Sequence, residues 1–204
     1  RFNLPSGVVV EPTGKFLVVA DLGNHRLRRI DLATREVTTI AGSGQKGFPQ
    51  DGADALSSPL CYVRSACVAA DGTLYALLGS VLGGHSLVAI KEGKVSVVVN
   101  RDGQPGPATE GPAADARLNF PKYATMDAKG GVLIVDSGNH CLRRYDPTKQ
   151  TIRTLAGNGA PGSALGADWT TTQLSRPQGA RIGPDGRLYV ADTENNRILV
   201  GPAP

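Results

Sequence analysis

Short apolar runs alternate with polar turn clusters along the whole chain, and the runs recur. The stretch VVADLGNHRLRRIDL (residues 18–32) returns as LIVDSGNHCLRRYDP (133–147) and as YVADTENNRILVGP (189–202). A fourth stretch, LLGSVLGGHSLVAI (77–90), keeps the apolar character but loses most of the polar signature. Val8, Ala66, Ala124 and Ala180 mark the same place in each copy, at intervals of 58, 58 and 56 residues. A period of this size signals a repeat architecture, which decides the fold before any local pattern does.

Each copy predicts four strands. In the first copy they cover residues 7–11, 16–20, 26–31 and 36–40, with turns at Pro12-Thr13-Gly14 and Asp21-Leu22-Gly23-Asn24. Connections this tight predict an antiparallel meander. The strands are apolar on both faces, so each sheet needs cover on both sides. Sheets stacked radially around an axis supply that cover. The predicted fold is therefore all-β, a β-propeller with one copy per blade. The blades are expected at residues 5–42, 59–99, 121–157 and 177–200, a period of about 57.

Long loops join the copies, at residues 41–59, 100–121 and 156–177. Each ends with an apolar residue three positions before a proline: Leu56 and Pro59, Leu118 and Pro121, Leu174 and Pro177. The chain opens on the same spacing, and RFNLP (1–5) resembles RLNFP (117–121). The fourth copy reaches only its third strand, at Val200. The expectation is an arc of a larger propeller, excised from a longer polypeptide.

The second copy departs from the others. Four extra residues precede its first strand, and Gly79-Ser80-Val81-Leu82-Gly83-Gly84 replaces the Asp-x-Gly-Asn turn. Its apolar strands survive at 66–69, 74–78, 87–90 and 95–99, so it should still form a blade. Its remodelled turn, with Gly79, Ser80, Gly83 and Gly84, is the expected partner contact.

Composition adds little. The 26 Gly and 14 Pro fall between the apolar runs, as turns do. A net charge of +4 and a pI near 9.1 permit anionic partners without requiring them. Three cysteines carry no metal-type spacing, although Cys61 and Cys67 could bridge. No stretch is apolar for long enough to span a membrane, so no membrane insertion is expected. No compartment can be assigned.

The motifs Asp21-Leu22-Gly23-Asn24-His25-Arg26 and Asp136-Ser137-Gly138-Asn139-His140 resemble those of NHL-repeat β-propellers. Asp192-Thr193-Glu194-Asn195-Asn196-Arg197 is a variant of the same motif. Pro5-Ser6-Gly7, Pro177-Gln178-Gly179 and the Ala-Gly-x-Gly-x-x-Gly loops at 41–47 and 156–162 match as well. The resemblance covers essentially the whole chain and is strong in three copies of four. It implies a propeller commonly of six blades and a binding platform. Members serve protein–protein contacts, cell-surface adhesion or RNA recognition, and a minority resemble lyases.

The candidate residues divide into two groups. Asp21, Asn24, His25, Arg26, Asp136, Asn139, His140, Asp192, Asn195 and Arg197 are expected to build the blades, with Arg26 and Arg197 pairing to a turn carboxylate. A motif repeated in every blade is usually structural, because catalysis needs one copy. Arg28, Arg29, Arg143 and Arg144 are candidates for partner binding. His25, His85 and His140 fall at equivalent positions, but they precede the third strand and lie roughly 10 Å outside the first. A Zn–N bond is about 2 Å, so histidines on separate blades cannot share one ion. The GxGxxG matches at 42–47 and 157–162 open no helix and imply no dinucleotide. The expectation is a non-catalytic scaffold for protein partners, with no cofactor. The alternatives are RNA binding and a metal-dependent lyase or hydrolase in the central channel.

Overall fold

The computed structural model describes residues 1–80 and 83–204. It is an all-β propeller of four antiparallel sheets, one for each repeat. Blade 1 comprises β1 (Pro5–Val10), β2 (Phe16–Asp21), β3 (Arg26–Asp31) and β4 (Val37–Ala41). Blade 2 comprises β5 (Val63–Val68), β6 (Leu74–Ser80), β7 (Gly83–Lys91) and β8 (Lys94–Val99). Blade 3 comprises β10 (Tyr123–Met126), β11 (Val132–Asp136), β12 (Cys141–Asp146) and β13 (Thr151–Ala156). It gains a fifth strand, β9 (Gly111–Pro112), from the preceding loop. Blade 4 comprises β14 (Gly179–Ile182), β15 (Arg187–Asp192) and β16 (Arg197–Pro202).

Strand order follows chain order in each meander, as two- to five-residue connections dictate. The first strand of blade 1 begins two residues earlier than its apolar run, because Pro5 pairs with Asp21 across a bulge. Blade 2 runs longer than its apolar pattern suggests. There β6 and β7 continue to a Ser80–Gly83 pair, where the other blades turn. Val81 and Leu82, the tip of the predicted contact loop, lie outside the described residues.

The blades stack through their innermost strands, β1 on β5, β5 on β10 and β10 on β14. Three apolar layers fill the junctions. Ala66, Leu74, Ala76, Leu78 and Val88 of blade 2 meet Val18, Ala20 and Leu27 of blade 1. Tyr75, Leu77 and Leu87, on the other face of blade 2, meet Ala124, Ile134 and Tyr145 of blade 3. Leu133, Val135 and Leu142 of blade 3 then meet Leu188 and Val190 of blade 4. Alternation along one strand therefore feeds two different cores. That is why the strands read as apolar on both faces, and each buried Leu or Val contributes about 1.5–3 kcal/mol. The outer faces of blades 1 and 4 are more exposed than the junctions. Val8 and Val10 of blade 1 are 62% and 57% exposed, and Ile198 of blade 4 is 62% exposed.

Candidate functional site

The repeated turn is where the polar chemistry gathers. In blades 1, 3 and 4 the second strand ends on an aspartate with no exposed surface: Asp21, Asp136 or Asp192. One 3₁₀ turn follows, at Leu22–Asn24, Ser137–Asn139 or Thr193–Asn195. The next residue is left-handed, with φ of 53° at His25, 53° at His140 and 51° at Asn196. That backbone position reverses the chain into the third strand, and Asn and His tolerate it better than most residues.

Each aspartate ties the turn to the incoming loop. Its Oδ1 accepts the backbone N–H of Asn3 (2.7 Å), Asn119 (2.7 Å) or Ser175 (2.6 Å). Its Oδ2 accepts the side-chain amide of Asn24, Asn139 or Asn195, at 2.8 Å in all three blades. The same amides donate to the carbonyls of Arg1, Gly106 and Gly162 in the loops. These bonds satisfy backbone groups that an irregular loop would otherwise bury unpaired. Burial pushes the Asp136 carboxyl up to about 7, against the pull of the Asn119 N–H, the Asn139 amide and Arg143.

The histidines act between blades. Nδ1 of His25 accepts the N–H of Tyr62 (3.2 Å), His85 that of Phe120 (3.0 Å) and His140 that of Arg176 (3.2 Å). Each donor stands within three residues of the first strand of the following blade, and each has positive φ: 47°, 53° and 41°. A ring whose Nδ1 accepts is neutral and carries its proton on Nε2. Burial is the first reason that each imidazole sits below its ordinary pKa. Lys46 and Arg26 add to this at His25, Arg64 at His85 and Arg176 at His140. The histidines do not converge. Among the described residues no group of three or more His, Cys, Asp or Glu is placed to hold a metal ion.

The arginines do not form one basic face. Arg143 was expected to face a partner, but it has no exposed surface. It lies between blades 2 and 3, 3.7 Å from Asp136, and donates to the Thr109 carbonyl. Its burial follows from sheet alternation, which turns Arg143 inward and Arg144 to the other face. Arg144 is itself held by Asp127 and Asp146. Arg28 is half-buried and donates to Thr39 Oγ1. Arg29 is exposed and lies over the Phe16 ring, 4.5 Å from its centroid. Arg197 does pair with its turn carboxylate, at 2.7 Å from Asp192. Arg26 instead donates to the Ser43 carbonyl, across to the loop that leaves its blade.

The remodelled turn also differs from expectation. Gly79 and Gly84 are buried rather than partner-facing. A Cβ on Gly79 would meet the Pro121 carbonyl of the next blade at 2.9 Å, and one on Gly84 would meet Cys61 Sγ at 2.5 Å. Ser80 and Gly83 close the strand pair. Cys67 is an unbridged thiol buried between blades 2 and 3, so the Cys61–Cys67 bridge is not formed. Apolar surroundings push that thiol up to about 12, which makes it unreactive.

Sequence patterns missed Tyr62, Phe120 and Arg176. The apolar-x-x-proline spacing pointed at their neighbourhood, but Phe120 and Arg176 each precede a proline, which ordinarily favours extended backbone, and Tyr62 lies three residues past Pro59. A mixed-charge cleft of about 660 Å³, lined by Asp127, Arg144, Asp146, Lys149 and Arg153, was not foreseen either. Arg144 and the two aspartates already pair with one another there.

The NHL-repeat family model matches residues 174–200. NHL repeat-containing protein 2 of Bos taurus is 28% identical over 98% of this chain, which spans 39% of that protein. A solved structure titled an auxiliary nutrient binding protein, from Bacteroides ovatus, superposes over 100% of this chain and 49% of its own, with a TM-score of 0.76 at 16% identity. A gluconolactonase structure from Xanthomonas campestris covers 98% of this chain and 58% of its own, with a TM-score of 0.67 at 15% identity. At these identities the two structures share the fold.

Proposed function

From the premise that this chain is an NHL-repeat β-propeller, we propose that it serves as a non-catalytic scaffold for protein–protein contacts within a longer polypeptide. The observation that carries this reading is how its repeated polar residues are used. Asp21, Asp136 and Asp192 each hold a loop N–H and a turn amide, and the histidines hold the next blade. The residues that look most like chemistry are thus engaged in building the propeller. A rigid stack with variable loops is a surface suited to recognition.

The test is a purified complex. Partners captured by in-cell cross-linking are expressed separately, and binding is measured by calorimetry alongside a panel of lactones, esters and single-stranded RNA. The expected result is a stoichiometric complex with a folded protein and no turnover. Turnover abolished by one side-chain substitution would overturn the proposal. So would RNA binding with a steep negative salt dependence in the absence of any protein partner.

A further inference from the structure

The three histidines share one geometry on three separate junctions. In each, a neutral imidazole at the head of a third strand receives a backbone N–H from the blade that follows. We propose that His25, His85 and His140 form a set of acid-sensitive latches, whose protonation uncouples neighbouring blades. A protonated ring carries N–H groups on both nitrogens, so Nδ1 changes from acceptor to donor and faces another donor. The incoming residue loses its N–H partner while held at positive φ, a costly backbone conformation.

The surroundings set how each latch responds. His25 is flanked by Arg26 on its own strand and Lys46 in the loop, with the Tyr62 ring edge-on at 5.1 Å. His85 faces Arg64, and the Phe120 ring beside it carries Arg64 on one contact and Lys122 on another. His140 faces Arg176, and it alone also has an opposing carboxylate, Glu194. Asp21 and Asp136 close the same turns as His25 and His140. His140 is therefore the latch that opens first as pH falls. The fourth copy shows the alternative chemistry: Asn196 occupies the histidine place, with the same left-handed backbone and a side-chain oxygen that does not titrate.

The sign follows from where the proton goes. Above about pH 7.5, a unit over the ordinary histidine pKa of about 6.5, the histidines are neutral in both the folded and unfolded chain, and the latches contribute fully. Below it the unfolded chain takes up protons that the folded chain resists, because the folded values are lowered. Stability falls as pH falls through that window. With three sites the unfolding constant rises by up to about a thousandfold per pH unit. Asp136, raised to about 7, works in the opposite direction over part of the same range. A variant that changes only the histidines separates the two.

The experiment compares the full chain with H25N/H85N/H140N by hydrogen exchange at the amides of Tyr62, Phe120 and Arg176, between pH 7.5 and 5.5. Rates are corrected for intrinsic exchange. In the native chain the corrected rates rise at least tenfold as pH falls, with Arg176 leading. In the asparagine variant, which keeps an acceptor at each place, they stay flat. Single His→Ala variants raise exchange at the one cognate amide at both pH values, which reports the latch even where a triple alanine chain fails to fold. Equal pH slopes in the native and asparagine chains would sink the proposal. Imidazole ¹⁵N spectra that place the proton on Nδ1 at pH 7.5 would sink it too.

Discussion

Blades 2 and 3 stand side by side, each covered on both faces, and they close the same turn by different means. In blade 3 the second strand ends on Asp136, with Arg143 beside it in the layer that faces blade 2. The sheet registers place Leu78 and Val88 of blade 2 in those two positions, both fully buried. An ion pair in one blade is an apolar pair in the next. Blade 2 has also exchanged the 3₁₀ turn for a longer strand pair. Both blades nevertheless keep a histidine that bonds the following blade, His85 and His140. The repeat thus contains two separable devices. The aspartate ties each blade to its own incoming loop and can be replaced by packing. The histidine joins blade to blade and is retained even where the aspartate is lost.

The largest test of that separation is Asp136→Ala. It leaves Arg143 buried without a counter-charge and the Asn119 N–H without an acceptor, so a loss of about 3–5 kcal/mol in urea unfolding is expected. Converting blade 3 to the chemistry of blade 2, with D136L/R143V, removes both charges together and should recover most of that loss. A double variant as unstable as Asp136→Ala alone would show that the aspartate is indispensable in its own blade.

A second comparison concerns the residue after the fourth strand. Blade 3 has Gly157, with φ of 87°, where a Cβ would come within 2.4 Å of the His140 carbonyl oxygen. Blade 2 has Asn100 there, with φ of 57°, and its amide donates to the His85 carbonyl at 2.7 Å and to Gln104 at 2.8 Å. Gly157→Ala should cost about 2–4 kcal/mol, from the strained backbone and the forced separation of two strands. Asn100→Gly relaxes the positive φ but loses the two bonds that the amide donates and the one that its Oδ1 accepts from Arg117, for a net loss of about 1 kcal/mol. Thermal unfolding of the two variants ranks them. If Gly157→Ala proves the milder, close approach at the third strand is not what the glycine provides.

Much of this was legible in the chain. The period, the strand types and the propeller follow from apolar runs that recur every 57 or so residues, because a packed blade has little freedom to vary. The structural role of Asp21 and Asn24 follows from turn chemistry. The partners of the histidines could not be read, since His85 and Phe120 lie 35 residues apart and meet only when blades stack. The fate of the paired arginines was half legible. Alternation puts Arg143 and Arg144 on opposite faces, but only the neighbouring blade decides which face is sealed. The two-residue strand β9 has no apolar pattern at all, and it exists because a loop passes the free edge of β13.

The smallest expected difference lies at the outer ion pairs of the same two blades. Arg144 of blade 3 meets Asp127 with side chains only 14% and 6% exposed. Asp127 is further fixed by the N–H groups of Lys129 and Gly131. Arg144→Ala therefore strands a positioned carboxylate in a poorly hydrated place, and about 1–2 kcal/mol should be lost. In blade 2, Lys91 meets Asp71 at 2.8 Å, but both side chains are more than half exposed, at 56% and 55%. Water and salt screen that pair, and holding a long lysine in one rotamer offsets much of the attraction. The Asp71 carboxyl is drawn down to about 2, first by its bond to Lys91 and then by the Thr73 N–H and hydroxyl. Much of that pull survives without the lysine. Lys91→Ala should leave the urea midpoint unchanged at physiological ionic strength, while Arg144→Ala shifts it under the same conditions. A measurable shift for Lys91→Ala that vanishes in 1 M salt would mean that blade 2 leans on surface charge, and the division drawn here between its packing and the ion pairs of blade 3 would have to be redrawn.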